Sequence, residues 1–309
     1  MKKRILWTYL VLAILLIGTC YFAITHGASK IAFSHLTQNN LNILFNIRLP
    51  RIISALVAGA ALSVSGTYFQ AALRNPIASP GIMGISSAAN LFQTLALFCL
   101  PALFVGKFIL AIVGGLIALL FLFEFQKQMD PYRLIIVGVA LNAVFSGIQT
   151  VVAPNASSVS LATSTWQTTL YLSVLGLIGI IISLVLSQWG NYLKVDDEEL
   201  QSLGLKPAKI RVILLLLAVI LASVTTACVG ALAFIGIIVP QIGRFLVGHD
   251  YQDLIPFSLF GGAWFLLFVD TLGRTINPPN EISAGVLLAI IGGPFMIAIL
   301  LKAGKKRHA

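Results

Sequence analysis

Apolar runs of about 20 residues recur along this chain of 309 residues, with short polar segments between them. About 20 helical residues are needed to cross a hydrocarbon core of about 30 Å. The pattern therefore predicts an all-α integral membrane protein with about ten transmembrane helices. The predicted spans are 5–25, 52–72, 86–105, 108–126, 134–153, 170–190, 211–229, 231–247, 254–273 and 283–302. The polar segments are too short for a soluble domain, so one transmembrane domain is expected over 1–309.

Charge along the chain predicts how these spans are oriented. An even number of spans puts both termini on one side, and basic residues mark the cytoplasmic side of a membrane. With both basic termini in the cytoplasm, 15 of the 20 Lys and Arg residues lie inside or at the inner edge. The five predicted outside are Lys30, Arg48, Arg51, Lys107 and Arg274. Topology thus explains the net charge of +10, and no nucleic-acid partner is expected.

Composition supports the membrane class and argues against several kinds of site. Only 10% of the residues are charged, against roughly a quarter in soluble proteins. Three cysteines lie in separate spans and four histidines are scattered, so neither a disulfide framework nor a metal site is expected. The basic, apolar start up to Cys20 could also be a signal peptide. Because the apolar run continues through Ile24, a spanning helix is favoured.

The chain lacks the residue patterns of an ATPase or of a membrane enzyme. No GxxxxGK[ST] loop occurs, which argues against ATP hydrolysis through that motif. No span interior carries paired carboxylates, a Ser/His/Asp set or the carboxylate of a proton relay. Asp270 lies one helical turn before Arg274, within reach of a salt bridge. A secondary transporter or channel without ATPase partners stays an alternative, and a membrane enzyme has less support.

The fifth predicted span carries a polar face. Asn142, Ser146, Gln149 and Thr150 recur at helical spacing on one side of 134–153. Four polar side chains facing lipid would be costly, so they should face protein or a water-filled path. Two interpretations stay open, a translocation path, which is favoured, and hydrogen bonding between helices.

Small residues in the second span predict close helix packing. Ala55, Gly59 and Ser63 fall four residues apart, so this side of the helix allows another backbone to approach.

A weak internal repeat links the two halves of the chain. One set of Gly and Pro residues recurs with identical spacing five spans later, so the copies would cross the membrane in opposite directions, as in inverted-repeat transporters. Coincidence is the alternative, because Gly is common in this chain. The two sets are Gly66, Pro76, Gly84 and Gly230, Pro240, Gly248.

An acidic segment at about 195–210 is predicted to be a short cytoplasmic helix. Gly204 would end this helix, and Pro207 lies just beyond it. Its leucines would leave an exposed apolar ridge that could dock a cytoplasmic partner. These are Leu200, Leu203 and Leu205. A solvated connecting loop is the alternative.

Three blocks of sequence resemble the FecCD family, the permeases of ABC importers for ferric siderophores, haem and cobalamin. The first block reads RLPRIISALVAGAALSVSGTYFQAALRNPIASPGIMGIS, and the others begin at Gly230 and Val269. The resemblance covers nearly the whole chain. Its motif residues are Gly66, Gln70, Arg74, Asn75, Pro76, Pro80, Gly81 and Gly84 in the first block, and Gly230, Gly236, Pro240 and Gly248 in the second.

The resemblance implies the type II ABC importer permease fold in a bacterial cell membrane. It implies a second permease subunit, either a copy or a paralogue, two ATP-binding cassette subunits, and an extracytoplasmic substrate-binding protein or lipoprotein. ATP and Mg would bind the ATPase partners, so this chain itself would be no enzyme and hold no cofactor. Within the family a ferric siderophore is the first expectation, with haem next and cobalamin third.

The resemblance also implies roles for individual residues. Arg48, Arg51 and Arg274 would receive acidic residues of the binding protein; pairing of Arg274 with Asp270 and interfacial snorkelling of the other two are the alternatives. The fifth span would lie along the translocation path. The residues implied to couple to the ATPase are Glu198, Glu199, Leu203, Gly204, Leu205 and Pro207, although Gln201 and Ser202 are bulkier than the family pattern.

Overall fold

A computed structural model describes residues 2–27, 37–100, 103–126, 131–153, 159–276, 278 and 280–305. The regular structure in these ranges is helical. Thirteen α-helices lie in these ranges, together with a π-helical turn at Leu44–Arg48 and a 3₁₀ turn at Leu161–Thr163. The α-helices are α1 (Lys2–Thr25), α2 (Gln38–Ile43), α3 (Leu49–Ala72), α4 (Ile85–Cys99), α5 (Gly106–Gln126), α6 (Pro131–Val152), α7 (Trp166–Val185), α8 (Ser187–Tyr192), α9 (Asp197–Ser202), α10 (Pro207–Val229), α11 (Ile235–Leu246), α12 (Tyr251–Thr275) and α13 (Ala284–Lys305).

Each of the ten predicted spans corresponds to a helix, but two helices are shorter than predicted. Eight helical segments in the described ranges are long and apolar enough to cross a membrane; in one of them α2, the π turn and α3 run together over Gln38–Ala72. In contrast, α4 has 15 residues and α11 has 12. At 1.5 Å per residue these helices are about 22 and 18 Å long, less than the hydrocarbon core. The full-length spans predicted at 86–105 and 231–247 are therefore wrong, because part of each apolar run is non-helical.

The order of the long and short helices fits an inverted repeat. One half comprises α1, α3, α4, α5 and α6, the other α7, α10, α11, α12 and α13, and the short helix is third in each. The predicted residue match is wrong, however. Gly66 lies within α3, whereas Gly230 ends α10 at φ +83°. Pro76 lies in the loop after α3, whereas Pro240 lies inside α11. The repeat is one of helix order, and its Gly and Pro residues are not equivalent.

Helix α3 lies at the centre of the fold, with 20 of its 24 residues buried. Small residues allow its neighbours to approach: a Cβ on Gly59 would lie 2.2 Å from the carbonyl oxygen of Gly262 in α12, and one on Gly66 would lie 2.1 Å from that of Gly236 in α11. These distances confirm the close packing predicted for the second span. By contrast, α1, α6 and α13 are mostly exposed, so these helices face lipid or other subunits.

Antiparallel packing of α3 and α12 sets the two ends of the molecule. Gly59 meets Gly262, and the Thr67 hydroxyl donates to Ser258 Oγ at 2.9 Å, so the start of α3 lies beside the end of α12. The 24 residues of α3 are about 36 Å long. Arg48 and Arg74, at its two ends, are therefore separated by about the thickness of a membrane. Lys30, Lys306 and Arg307, used to predict topology, lie outside the described residues.

Candidate functional site

The three arginines predicted to dock a binding protein lie together at the start of α3 and the end of α12. Arg51 and Asp270 form a two-pronged salt bridge: Nε donates to Oδ2 at 2.9 Å, and Nη2 donates to Oδ1 at 2.9 Å. Asp270 is 1% exposed and Arg51 is 7% exposed. Such bidentate pairs fix the orientation of both groups as well as attracting them. Asp270 therefore holds Arg51 in a defined position at this end of the fold.

Arg274 and Arg48 complete the cluster through backbone carbonyls of the first helix. Arg274 Nη2 donates to the Ala23 carbonyl at 3.0 Å, whereas its Nε lies 4.0 Å from Asp270 Oδ2. The predicted pairing of Arg274 with Asp270 is thus present but looser than the pairing of Asp270 with Arg51. Arg48 donates to the Ile24 carbonyl and is as buried as the other two. These guanidinium groups are thus held in place by bonds within the protein.

Glu281 is a fifth charged member of this cluster, and the sequence reasoning missed it. Its Oε2 accepts a hydrogen bond from Arg51 Nη1 at 2.7 Å. The chain after α12 turns back because the Ile282 amide donates to the Gly273 carbonyl at 2.9 Å. A side chain at Gly273 would lie 2.2 Å from the Ile282 carbonyl oxygen, so this return needs glycine. The sequence offered one signal for it: Glu281 is an acidic residue a few positions beyond Arg274, on the same predicted side of the membrane.

The cluster borders a small open cleft of about 200 Å³. The three arginines and two carboxylates of the cluster have a summed formal charge of +1. The lining residues are Gly27, Ile43, Ile47, Arg48, Arg51, Arg274 and Glu281. The cleft is therefore a positively charged depression at one end of the molecule, suited to a carboxylate from outside.

The predicted acidic helix lies at the opposite end of α3. It is α9, which ends at Gly204 in the left-handed region at φ +78°. The Leu205 amide donates to the Leu200 carbonyl at 3.0 Å, and the Gly204 amide donates to the Gln201 carbonyl at 2.9 Å. This is a Schellman ending, in which glycine adopts the left-handed conformation without a Cβ penalty. The predicted short helix and its end at Gly204 are confirmed, and α10 begins at Pro207, just beyond it.

The surface of this helix differs from the prediction at one residue. Leu203 is 70% exposed, and Glu198 and Glu199 are exposed beside it. Leu200, however, is 1% exposed and packs into the core. The predicted ridge of three leucines is therefore wrong: Leu205 is half-buried, and Leu203 is the projecting residue. Helical geometry explains this, because a short helix lying on the protein must bury one side.

Arg74 ties this acidic helix to α3. Its Nη2 donates to the Val195 carbonyl and to Asp197 Oδ1, both at 2.7 Å, and its Nε donates to the Leu193 carbonyl at 3.1 Å. Arg211 in α10 also reaches Asp197 Oδ1, at 3.1 Å. Arg74 has φ +48°, a conformation that directs the chain sharply away from α3. Asp197 thus connects α9 to both α3 and α10.

Other residues of the first motif fix the junction of α3, α4 and α11. Gln70 Nε2 donates to the Gly236 carbonyl at 2.9 Å, and Gln70 Oε1 accepts from Arg244 at 2.5 Å. The Asn75 side chain accepts from the Ile77 amide at 3.1 Å. Gly84 precedes α4 at φ +82°. In the same loop, the Pro76 carbonyl accepts from Gln241 and the Pro80 carbonyl accepts from the Ile85 amide. Gly81, also in this loop, lies against Leu232.

The polar face of α6 is partly bonded to α4 and partly open. Gln149 Oε1 accepts from Asn90 at 3.0 Å, and Gln149 Nε2 donates to Thr94 Oγ1 at 3.3 Å. Ser146 and Thr150 are exposed on this single chain, and Asn142 is half-buried. One edge of the face thus bonds between helices, and the other is free to line a path or meet another subunit.

Comparison with known proteins identifies the family. A model of the FecCD transport family matches residues 6–302. The chain belongs to the FecCD transport family. It is 40% identical over 318 residues to the "Probable heme-iron transport system permease protein IsdF" of Staphylococcus aureus strain MSSA476, covering 99% of this chain and 98% of that protein. The protein of the same name from strain bovine RF122 / ET3-1 is 39% identical over the same length.

Solved structures agree with the FecCD assignment. The structure titled "An inward-facing conformation of a putative metal-chelate type ABC transporter" has a TM-score of 0.82 and 30% identity, covering 98% of this chain and all of that one. PsaBC from Streptococcus pneumoniae in complex with Fab has a TM-score of 0.56 and 18% identity, covering 80% of this chain and 88% of that one, which shows the shared fold alone. The FecCD resemblance and the type II importer permease fold are thus confirmed, and the chain is an integral membrane permease subunit of an ABC importer.

Proposed function

We propose that this FecCD permease carries haem iron, receives it from a substrate-binding protein at the arginine cluster, and couples to ATPase subunits through α9. The observation that supports haem iron as the cargo is the full-length match to proteins named for heme-iron transport. It favours haem, the second expectation, over the ferric siderophore that came first. Cobalamin, the third, has no support among these relatives.

The arginine cluster has the properties needed to receive acidic residues of a binding protein. Its guanidinium groups are held in place by Asp270 and by carbonyls of α1, so little entropy is lost when a carboxylate binds. Burial lowers the local dielectric and strengthens a new ion pair. The formal charge of +1 on the cluster favours an anionic partner.

The opposite end has the properties needed to meet an ATPase. Leu203 projects from α9 with Glu198 and Glu199 beside it, while Gly204, Leu205 and Pro207 fix the end of the helix. Because Asp197 bonds to both Arg74 and Arg211, a push on α9 would reach α3 and α10. In this proposal ATP and Mg bind the ATPase partners.

Contacts of the N-terminal helix support a cytoplasmic position for the N-terminus. Arg4 donates to the Phe245 carbonyl at the end of α11, and the Tyr9 hydroxyl donates to the Asp253 carbonyl at 2.9 Å. Asp253 lies at the start of α12, and neighbouring Asp250 bonds to Asn191 just before α9. The N-terminus therefore lies at the same end as α9, which we place in the bacterial cytoplasm.

A second permease subunit would complete the translocation path. The exposed part of the α6 polar face, at Ser146 and Thr150, would meet water between two subunits and not lipid. Asn142 and Gln149 lie on the same face, nearer to α4. Either a second copy or a paralogue would satisfy this requirement.

Reconstitution in proteoliposomes tests this proposal. The permease, its cognate ATPase and its binding protein should take up haem in an ATP-dependent way, and more of it than ferric siderophore or cobalamin. Arg48→Glu, Arg51→Glu and Arg274→Glu should each reduce uptake at least tenfold. Lys107→Glu is the matched control, since it reverses another charge predicted to lie outside but away from the cluster, and it should keep uptake near the wild-type rate.

Three results would count against the proposal. Uptake by this chain alone would favour a secondary transporter or channel. Uptake of siderophore without haem would change the cargo only. If the three charge reversals reduced uptake no more than Lys107→Glu does, the arginine cluster would not be the docking site.

A further inference from the structure

Glu281 and Asp270 hold the same guanidinium in very different surroundings. Arg51 presents Nε and Nη2 to Asp270, and Nη1 to Glu281 at 2.7 Å. The Asp270 side chain is 1% exposed, whereas that of Glu281 is 32% exposed. A buried ion pair is costly to separate because one charge is left without compensation. A half-exposed pair exchanges readily with water or with another carboxylate.

Glu281 also lies at the site where an incoming carboxylate would bind. It lines the same cleft as Arg48, Arg51 and Arg274, on a segment that returns along the end of α12. An acidic side chain that entered this cleft and approached Arg51 Nη1 would compete with Glu281 for it. Asp270 would meanwhile keep the guanidinium oriented.

We propose that Glu281 is an internal competitor of the docking partner. Its carboxylate occupies on Arg51 the place that an acidic side chain of the substrate-binding protein takes, and docking displaces it. This inference rests on the proposed docking role of the arginine cluster. In the free permease Glu281 compensates the charge of Arg51. Because docking has to displace Glu281, the competition weakens the complex enough for the binding protein to be released.

Binding measurements with the assembled transporter test the competition. The permease with its ATPase subunits is placed in nanodiscs, and its affinity for the cognate substrate-binding protein is measured by surface plasmon resonance. Glu281→Gln removes the competing charge and should tighten binding about fivefold, corresponding to about 1 kcal/mol. A gain in affinity is a result that a damaged or misfolded variant does not give.

A charge-matched variant separates the contact from the general field of the site. The double variant Asn280→Glu with Glu281→Gln restores the net charge one residue away without restoring Glu281 itself. It should bind about as tightly as Glu281→Gln. Wild-type affinity in this double variant would overturn the proposal, because charge near the cleft would then explain the whole effect.

Two further outcomes are distinguishable. Unchanged or weaker binding of Glu281→Gln, alongside at least tenfold weaker binding of Arg274→Glu, would leave the docking site intact and reject Glu281 as a competitor; Glu281 would then only position Arg51. If Arg51→Glu and Arg274→Glu both bound normally, the docking role itself would fail, and the competition would fail with it.

Discussion

Asp270→Asn keeps the shape of the side chain at the centre of the arginine cluster and removes its charge. In the structure this carboxylate accepts hydrogen bonds from Arg51 at 2.9 Å and lies 4.0 Å from Arg274 Nε. All three side chains are buried, at 1 to 9% exposure. Removing one partner of a buried pair costs about 3–5 kcal/mol, because the charge that remains is not compensated.

The second carboxylate on Arg51 provides an internal comparison. Glu281 also forms a short ion pair with this arginine, at 2.7 Å, but its side chain is 32% exposed. Pairs that water can reach contribute about 0–1 kcal/mol. We therefore expect Asp270→Asn to lower the free energy of unfolding at least three times as much as Glu281→Gln, although both remove one carboxylate charge from the same guanidinium.

Unfolding in detergent micelles, followed by the fluorescence of the four tryptophans, measures both changes. Adding Arg51→Gln to Asp270→Asn should recover part of the loss, because it removes one of the uncompensated buried charges. Equal losses for the two carboxylates would refute the reasoning from burial. The reasoning would also be refuted if the double variant lost as much free energy of unfolding as the two single variants together.

Three further predictions concern packing, the acidic helix and pH. Gly66→Ala brings a Cβ to 2.1 Å from a backbone oxygen of α11 and should lower the unfolding temperature by several degrees, whereas Gly18→Ala, with no heavy atom within 4 Å, should not lower it. Asp197→Asn should release α9 from Arg74, seen as faster amide hydrogen exchange over 193–205 without general unfolding. Hydrogen bonds from the Asn191 side chain and the Gln252 amide lower the pKa of Asp250 below 3.8. The ionised carboxylate therefore contributes to the stability of the fold above pH 3.8, and this contribution is lost on further acidification. Asp250→Asn should flatten the pH dependence of stability below pH 3.8, measured as unfolding temperature against pH.

Local patterns in the sequence were enough for the helices and for the short acidic helix. Runs of apolar residues located all ten main helices, and Gly204 marked the end of α9, because both are decided by neighbouring residues. The same reasoning overestimated α4 and α11. Composition shows that a segment is apolar, but not whether its backbone is helical throughout, as at Gly230 and Phe234, which have positive φ.

Contacts between distant parts of the chain could not be predicted in the same way. The salt bridge between Arg51 and Asp270 joins residues 219 positions apart, and it forms because α3 and α12 pack antiparallel. The sequence suggested Arg274 as the partner of Asp270, since it is one turn away, but the loose 4.0 Å contact shows that tertiary packing favours Arg51. Leu200 was likewise predicted to be exposed, and it is buried against helices that no local pattern identifies.

The sequence by itself determined the membrane class, the helices and the motifs of the family. These follow from hydrophobicity and local backbone preference, which depend on each residue and its near neighbours. Only the tertiary structure decided that three arginines and two carboxylates lie together at one end of α3. It also decided that Arg74 and Asp197 connect α9 at the other end, and that Glu281 reaches the cleft. These arrangements depend on which helices pack together, because a charge in a membrane protein is stabilised by whatever partner the fold brings within reach.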